Sequence, residues 1–170
     1  MPRIRFGAGL GAVLAVAIAV PLAAWAADAS KAVNYRQGVM DALAWHIGPI
    51  AGMAKGEIPL DNAALQHHAD ALAALSNIIV EGFPEGSTAD NSKAKAEIWT
   101  DWDDFQHDAQ ELHEAAVALA AAAPTATKDT LGAALGPVGK ACGDCHGEFR
   151  AKYPSTPSRL RVGGANAVSG

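Results

Sequence analysis

Apolar residues return every three or four positions along four stretches of this chain, the period of a helix that buries one face. Met40, Leu43, Ile47 and Ile50 mark the first stretch, and Leu65, His68, Leu72, Leu75 and Ile79 the second. The third runs through Ile98, Trp102, Phe105, Ala109, Leu112, Ala116 and Leu119. The fourth runs through Leu131, Leu135, Val138, Cys142, Cys145 and Phe149. No part of the chain after the N-terminal segment alternates with the period of two that a half-buried strand requires. Breakers fall between the stretches: Gly56 and Pro59, then Gly82, Pro84 and Gly86 in a loop reaching to Ser92, then Pro124 with Thr125 and Thr127. Asp61 and Thr127 are placed to cap the second and fourth helices. Pro49 lies inside the first pattern and predicts a kink, because the carbonyl of Trp45 loses its donor. Four amphipathic helices with short links predict an all-α, antiparallel, up-down-up-down four-helix bundle.

The N-terminus has a different character. Arg3 and Arg5 precede an apolar run from Leu10 to Val20, and Ala24-Trp25-Ala26 follows as a small-x-small cleavage site. This is the layout of a secretory signal peptide over residues 1–26, too short in its apolar part to favour a spanning helix. Removal would leave 144 of the 170 residues, enough for one domain with a real core. It would also leave eleven basic against eighteen acidic residues, a formal charge of −7. That balance excludes nucleic acid and anionic membrane as natural partners. No stable membrane insertion is expected once the leader is cut. After Tyr153 the chain turns to Pro, Ser, Gly and Arg without apolar period, and residues 154–170 read as a disordered tail.

One motif carries chemistry. Cys142-Gly143-Asp144-Cys145-His146 is Cys-x-x-Cys-His, the attachment signature of a c-type haem, and its cysteines are the only two in the chain. Each thiol can add to one porphyrin vinyl group, and the histidine can bind the iron. On a helix these three side chains share a face. Other readings of the pair are weaker. Structural zinc wants four ligands, and none of His67, His68, His107 and His113 is spaced as a standard partner for the cysteines. A thioredoxin-type pair belongs near a strand-to-helix turn, and no strand pattern surrounds Cys142. A disulfide between residues three apart on a helix is sterically poor. Both cysteines lie in register with Leu135 and Val138, so the haem belongs in the bundle interior. Covalent haem attachment outside the bacterial cytoplasm agrees with the leader, and together they predict a periplasmic protein.

With these residues in place the chain resembles the class II c-type cytochromes, the cytochrome c-prime family, over about residues 31–152. The resemblance rests on Tyr35-Arg36-Gln37-Gly38-Val39-Met40, on Glu97-Ile98-Trp99 followed by Phe105, and on Gly139 to Arg150 around the attachment motif. It implies one haem c held by Cys142 and Cys145, with His146 as the proximal iron ligand. It also implies that Arg36 and Gln37 lie near a haem propionate, where the planar fork of arginine pairs well with carboxylate. Members of the family are often homodimers, which makes a second copy a candidate partner beside unidentified redox proteins. Arg150 matches a basic residue near the proximal face, or serves as a charge at the helix C-terminus.

The resemblance places Met40 on the far side of the iron. Bound through sulfur, it would complete a six-coordinate His146/Met40 haem, an electron carrier of raised potential. That one-electron role is the leading expectation. Packed over the iron without binding, Met40 would leave a five-coordinate haem with a dry pocket for nitric oxide or another small gas. Met53 is too far along the helix to replace it. The remaining histidines read as exposed or structurally bonded, with only His68 of the second helix facing inward. Trp99, Trp102 and Phe105 read as core near the porphyrin edge. No nucleophile–base pair or carboxylate dyad suggests an enzyme.

Overall fold

The computed structural model describes residues 22–152, with side chains from Ala29 onward. Of the expected leader, only residues 22–26 are among the described residues, as the first turns of a helix. The expected tail, 154–170, lies outside them.

Four long helices carry the fold: α1 (Leu22–Lys55), α2 (Asn62–Ser76), α4 (Trp102–Ala122) and α5 (Lys128–Phe149). A single helical turn, α3 (Glu97–Thr100), precedes α4. The helices pack as a closed ring, α1 on α2, α2 on α4, α4 on α5 and α5 back on α1. This is the predicted four-helix bundle. Among the described residues the only β pairing is an isolated antiparallel bridge between Ala94 and Arg150.

The caps form as the residue types dictate. Asp61 Oδ1 accepts from the N–H groups of Ala63 (2.9 Å) and Ala64 (3.1 Å), satisfying two donors that α2 leaves open. Thr127 and Thr130 form a reciprocal capping box at the start of α5. Gly56, at φ +78°, closes α1 in the left-handed region that glycine enters freely. α1 continues through Pro49, and α5 through Pro137, so each proline removes one ladder hydrogen bond without ending its helix.

The third apolar stripe is not one helix. Asp101 has φ −115° and ψ 46°, outside the helical region, and splits α3 from α4. Asp103 and Asp104 then lie in the first turn of α4, where carboxylates favour the positive end of a helix. The apolar period runs across this break because both segments lie against the same core.

Two buried clusters fill the bundle. One, around Ile50, Met53, Leu65, Leu72, Leu119, Leu131 and Val138, joins all four long helices near the α1–α2 and α4–α5 links. The second, Val39, Ile79, Phe83, Ile98, Phe105, Ala109 and Phe149, lies toward the other end. Phe105 is its hinge. Its ring meets Phe83 at 4.7 Å and Phe149 at 5.4 Å, both edge to face, the arrangement that ring quadrupoles favour. This second cluster forms the apolar wall of the functional site.

Candidate functional site

A cavity of about 490 Å³ opens beside the second cluster, within the usual range for a cofactor pocket. Met40 from α1 and Cys145 and His146 from α5 line it together with Phe83, Ile98, Phe105 and Phe149. Arg36, Gln37 and Arg150 supply polar groups to the same wall. Two sequence signals far apart in the chain, the Tyr35–Met40 motif and the attachment motif, thus converge on one cavity. Cys142, one turn before Cys145, is half-buried, and neither thiol is in a disulfide. Met53 is buried in the other cluster and does not line the cavity.

The electrostatics of α5 follow from this wall. Burial pushes the Cys145 thiol up to about 12, with Asp108, Cys142 and Glu148 adding to the effect. Burial raises Cys142 as well. His146 moves the other way: desolvation, then the charge of Arg150, lower its pKa below the usual imidazole range. A neutral imidazole keeps a ring-nitrogen lone pair available to a metal. One Asp108 carboxylate oxygen, Oδ2, is buried without a hydrogen-bond partner. Burial, then Glu148, Glu111 and Asp144, raise its pKa.

Arg36 is only 4% exposed. Nη1 donates to Gly82 O (3.2 Å) and Ser87 Oγ (3.0 Å), and Nη2 to Ser87 O (2.8 Å) and Ser92 Oγ (2.6 Å). Its guanidinium also sits 4.9 Å from the centre of the Phe83 ring, within cation–π range. Gln37 Nε2 donates to Asn91 O at 3.0 Å. The pair therefore holds the loop 82–92 against α1 at the cavity wall. Its loop-anchoring role is new relative to the sequence reading. Trp99 adds a further tie, donating from Nε1 to Pro84 O at 2.9 Å. Trp99 and Trp102 are half-buried, and only Phe105 of the three aromatics is deep core.

The far end of α5 is fastened to the segment that follows this loop, at Lys93 and Lys95. Lys95 N donates to Phe149 O (3.0 Å), and Ala151 N to Lys93 O (2.8 Å). Lys95 Nζ reaches Glu148 O.

The cavity suits a flat, largely apolar macrocycle with acidic substituents. Aromatic and aliphatic side chains cover its faces, two thiols and an imidazole lie on α5, and Arg36 and Arg150 supply positive charge. The family described as Cytochrome C′ matches residues 31–150. The chain belongs to the cytochrome c′ family.

The relatives agree. A cytochrome c′ from Cereibacter sphaeroides is 44% identical over 138 residues, covering 79% of this chain and 92% of that protein. The solved cytochrome c prime from Shewanella frigidimarina superposes with a TM-score of 0.70 at 35% identity, covering 73% of this chain and 97% of its own. A nitric oxide complex of a variant cytochrome c prime from Alcaligenes xylosoxidans has a TM-score of 0.68 at 34% identity, covering 73% and 97%. The cofactor of this cytochrome c′ is haem c, joined through the Cys-x-x-Cys-His motif. Among the described residues no helix is long and apolar enough to cross a membrane.

The other histidines divide. His107 pairs with Glu111 on the surface of α4. His113 Nδ1 lies 3.1 Å from both Ser76 Oγ and Ala73 O, bridging α4 to α2. His46, His67 and His68 gather away from the cavity.

Proposed function

We propose that this cytochrome c′ is exported, and that its haem is five-coordinate and binds a small gas such as nitric oxide on the side facing Met40. This reading replaces the six-coordinate expectation as the leading one. The observation that carries it is the position of Met40: half-buried on α1 and packed against the cluster of Val39, Phe83, Ile98 and Phe105. A thioether held in apolar packing fills space over the site and excludes water. The nitric oxide complex of the Alcaligenes relative supports the same reading.

The haem iron supplies a one-electron couple and a coordination position for a diatomic ligand. His146 would offer a neutral imidazole from α5 to the iron. Cys142 and Cys145, in register with Val138, would hold the cofactor to α5 through two thioethers. Arg36 and Gln37 direct their amino donors to the loop 82–92, and the Arg36 charge at the cavity wall would favour an acidic substituent of the cofactor. The aromatic wall excludes polar ligands for want of hydrogen-bond partners, while a small apolar gas meets no such penalty.

A second reading has its own support, because Met40 on α1 and His146 on α5 line the same cavity. Ligation by both would give a six-coordinate one-electron carrier. The absorption spectrum of the purified ferrous protein decides between them. A broad high-spin spectrum that shifts with carbon monoxide and nitric oxide is expected. A sharp low-spin spectrum indifferent to carbon monoxide would overturn the gas-binding proposal in favour of the carrier.

A further inference from the structure

Outside the haem cavity, α1 and α2 bring three imidazoles together. His46 projects from α1, and His67 and His68 from α2. His46 Nδ1 and His68 Nδ1 lie 3.0 Å apart. One ring nitrogen from each of the three residues falls within 4.8 Å of the other two. The ring centres are separated by 5.9, 5.2 and 5.3 Å, with planes inclined by 59–64°. The rings are thus tilted with their nitrogens converging, and not stacked face to face. None of the three lines the haem cavity.

We propose that His46, His67 and His68 form a second metal site, for a divalent first-row transition ion of the zinc type, on the α1–α2 face of the bundle.

The geometry argues for it in two ways. Zinc–imidazole bonds of about 2.0–2.1 Å at tetrahedral angles put ligand nitrogens about 3.3 Å apart. The His46–His68 pair already stands near that separation. His67 is exposed, so a small side-chain rotation closes the remaining distance without disturbing the core. The donors also ride on a rigid frame. α1 and α2 are joined by a short link, with α2 capped by Asp61 and α1 closed by Gly56. Sites built on packed helices hold their geometry better than sites on loops.

The donor set narrows the occupant. Three neutral nitrogens without thiolate or carboxylate suit zinc, copper or nickel and disfavour magnesium and calcium, which want oxygen. Three protein ligands leave a fourth position for water, since His67 faces solvent. This is not the mixed cysteine–histidine zinc site weighed from sequence, because the cluster holds neither cysteine and Cys145 lines the haem cavity. The competing account is a plain hydrogen bond, in which one Nδ1 carries a proton toward the other. It uses two of the histidines and gives His67 no part.

Zinc is the suitable probe, since it exchanges no electrons with haem. Untagged holoprotein is dialysed against Zn²⁺ at equilibrium and its metal content measured alongside iron. One zinc per haem is expected in the wild type and in the control His107→Gln. His46→Asn, His68→Asn and His67→Ala should each weaken binding at least about tenfold. His67 is exposed, so His67→Ala keeps the fold even if the half-buried positions do not tolerate change. Failure of the wild type to take up saturable zinc, or full uptake by His67→Ala, overturns the proposal. The haem spectrum reports the other site independently, so failure here leaves the gas-binding reading untouched.

Discussion

Arg36 on α1 holds Ser87 twice, through a hydrogen bond from Nη1 to its hydroxyl at 3.0 Å and from Nη2 to its carbonyl at 2.8 Å. Ser87 is itself buried, so each partner satisfies the other in a setting that water does not reach. Charge-assisted bonds of this kind contribute about 1.5–3 kcal/mol each in favourable cases, and they are not additive. Arg36→Ala should destabilise the protein by about 2–4 kcal/mol, since it strands buried acceptors and removes packing on Phe83. Urea unfolding measures the loss, and faster amide exchange in residues 82–92 shows where it falls. Arg36→Lys should recover little, because a point charge cannot serve four acceptors in a fork.

Gly82 packs against the same arginine. A Cβ added there would lie 2.7 Å from Arg36 Cβ and 3.2 Å from Arg36 Cα. Neither atom can swing aside without moving α1. Gly82→Ala is therefore expected to cost about 1–3 kcal/mol, the range for overpacking a well-filled site. A thermal melt with an unchanged transition midpoint would contradict this close approach.

Met40→Ala tests the wall facing His146. With Met40 only packing, the substitution should leave the high-spin spectrum as it is and speed the binding of carbon monoxide several-fold by opening space. Stopped-flow mixing reads the rate. Appearance of a high-spin spectrum only in the variant would instead mean that sulfur had been bound to iron.

The Cys145 thiol, with its pKa pushed up to about 12 by burial, should alkylate slowly in folded apoprotein. The sign is direct: raising the pKa of an acid lowers the fraction of thiolate at any pH below it, and thiolate is the nucleophile. Iodoacetamide at pH 8 should modify Cys145 at least about tenfold more slowly than a free cysteine of ordinary pKa near 8.5. Both cysteines fall on the tryptic peptide 141–150, and its fragment ions in mass spectrometry locate the label on Cys142 or Cys145. Unfolding in urea should bring both to the ordinary rate.

Asp108 has a raised pKa in the folded chain, chiefly through burial. The unfolded chain then releases this proton at lower pH than the folded one, so stability falls as pH rises above the ordinary value of 3.8 toward the folded value. Asp108→Asn should remove that fall while keeping the side chain's shape. Unfolding free energies across pH 4–7 would show a flatter profile for the variant; identical profiles would place Asp108 in ordinary solvent.

Much of this arrangement can be read along single helices. The stripe ending in Val138, Cys142, Cys145 and Phe149 specifies which face of α5 is covered, and Asp61 and Thr127 announce their helices through side-chain oxygens that the first turn needs. Relations between elements are less visible. Asp101 breaks the third stripe because a backbone dihedral changes there, while the apolar spacing across it stays helical. The burial of Arg36 depends on a loop some fifty residues away curling back to meet it. His46 and His68 meet only because α1 and α2 settle at one relative rotation, and neither helix's own period encodes that angle. The haem motif was legible because its chemistry is local, three groups on one turn and a half of helix.

The bridge between Ala94 and Arg150 sets a limit on how short this protein can be. A chain ending just after His146 would retain both thiols and the imidazole of the attachment motif. It would lose Phe149 from the aromatic wall and the carbonyl and amide partners of Lys95 and Lys93. Truncation after His146 would therefore open the end of α5, because the clasp there is made from the backbone of Phe149 and Ala151 and not from the attachment motif itself.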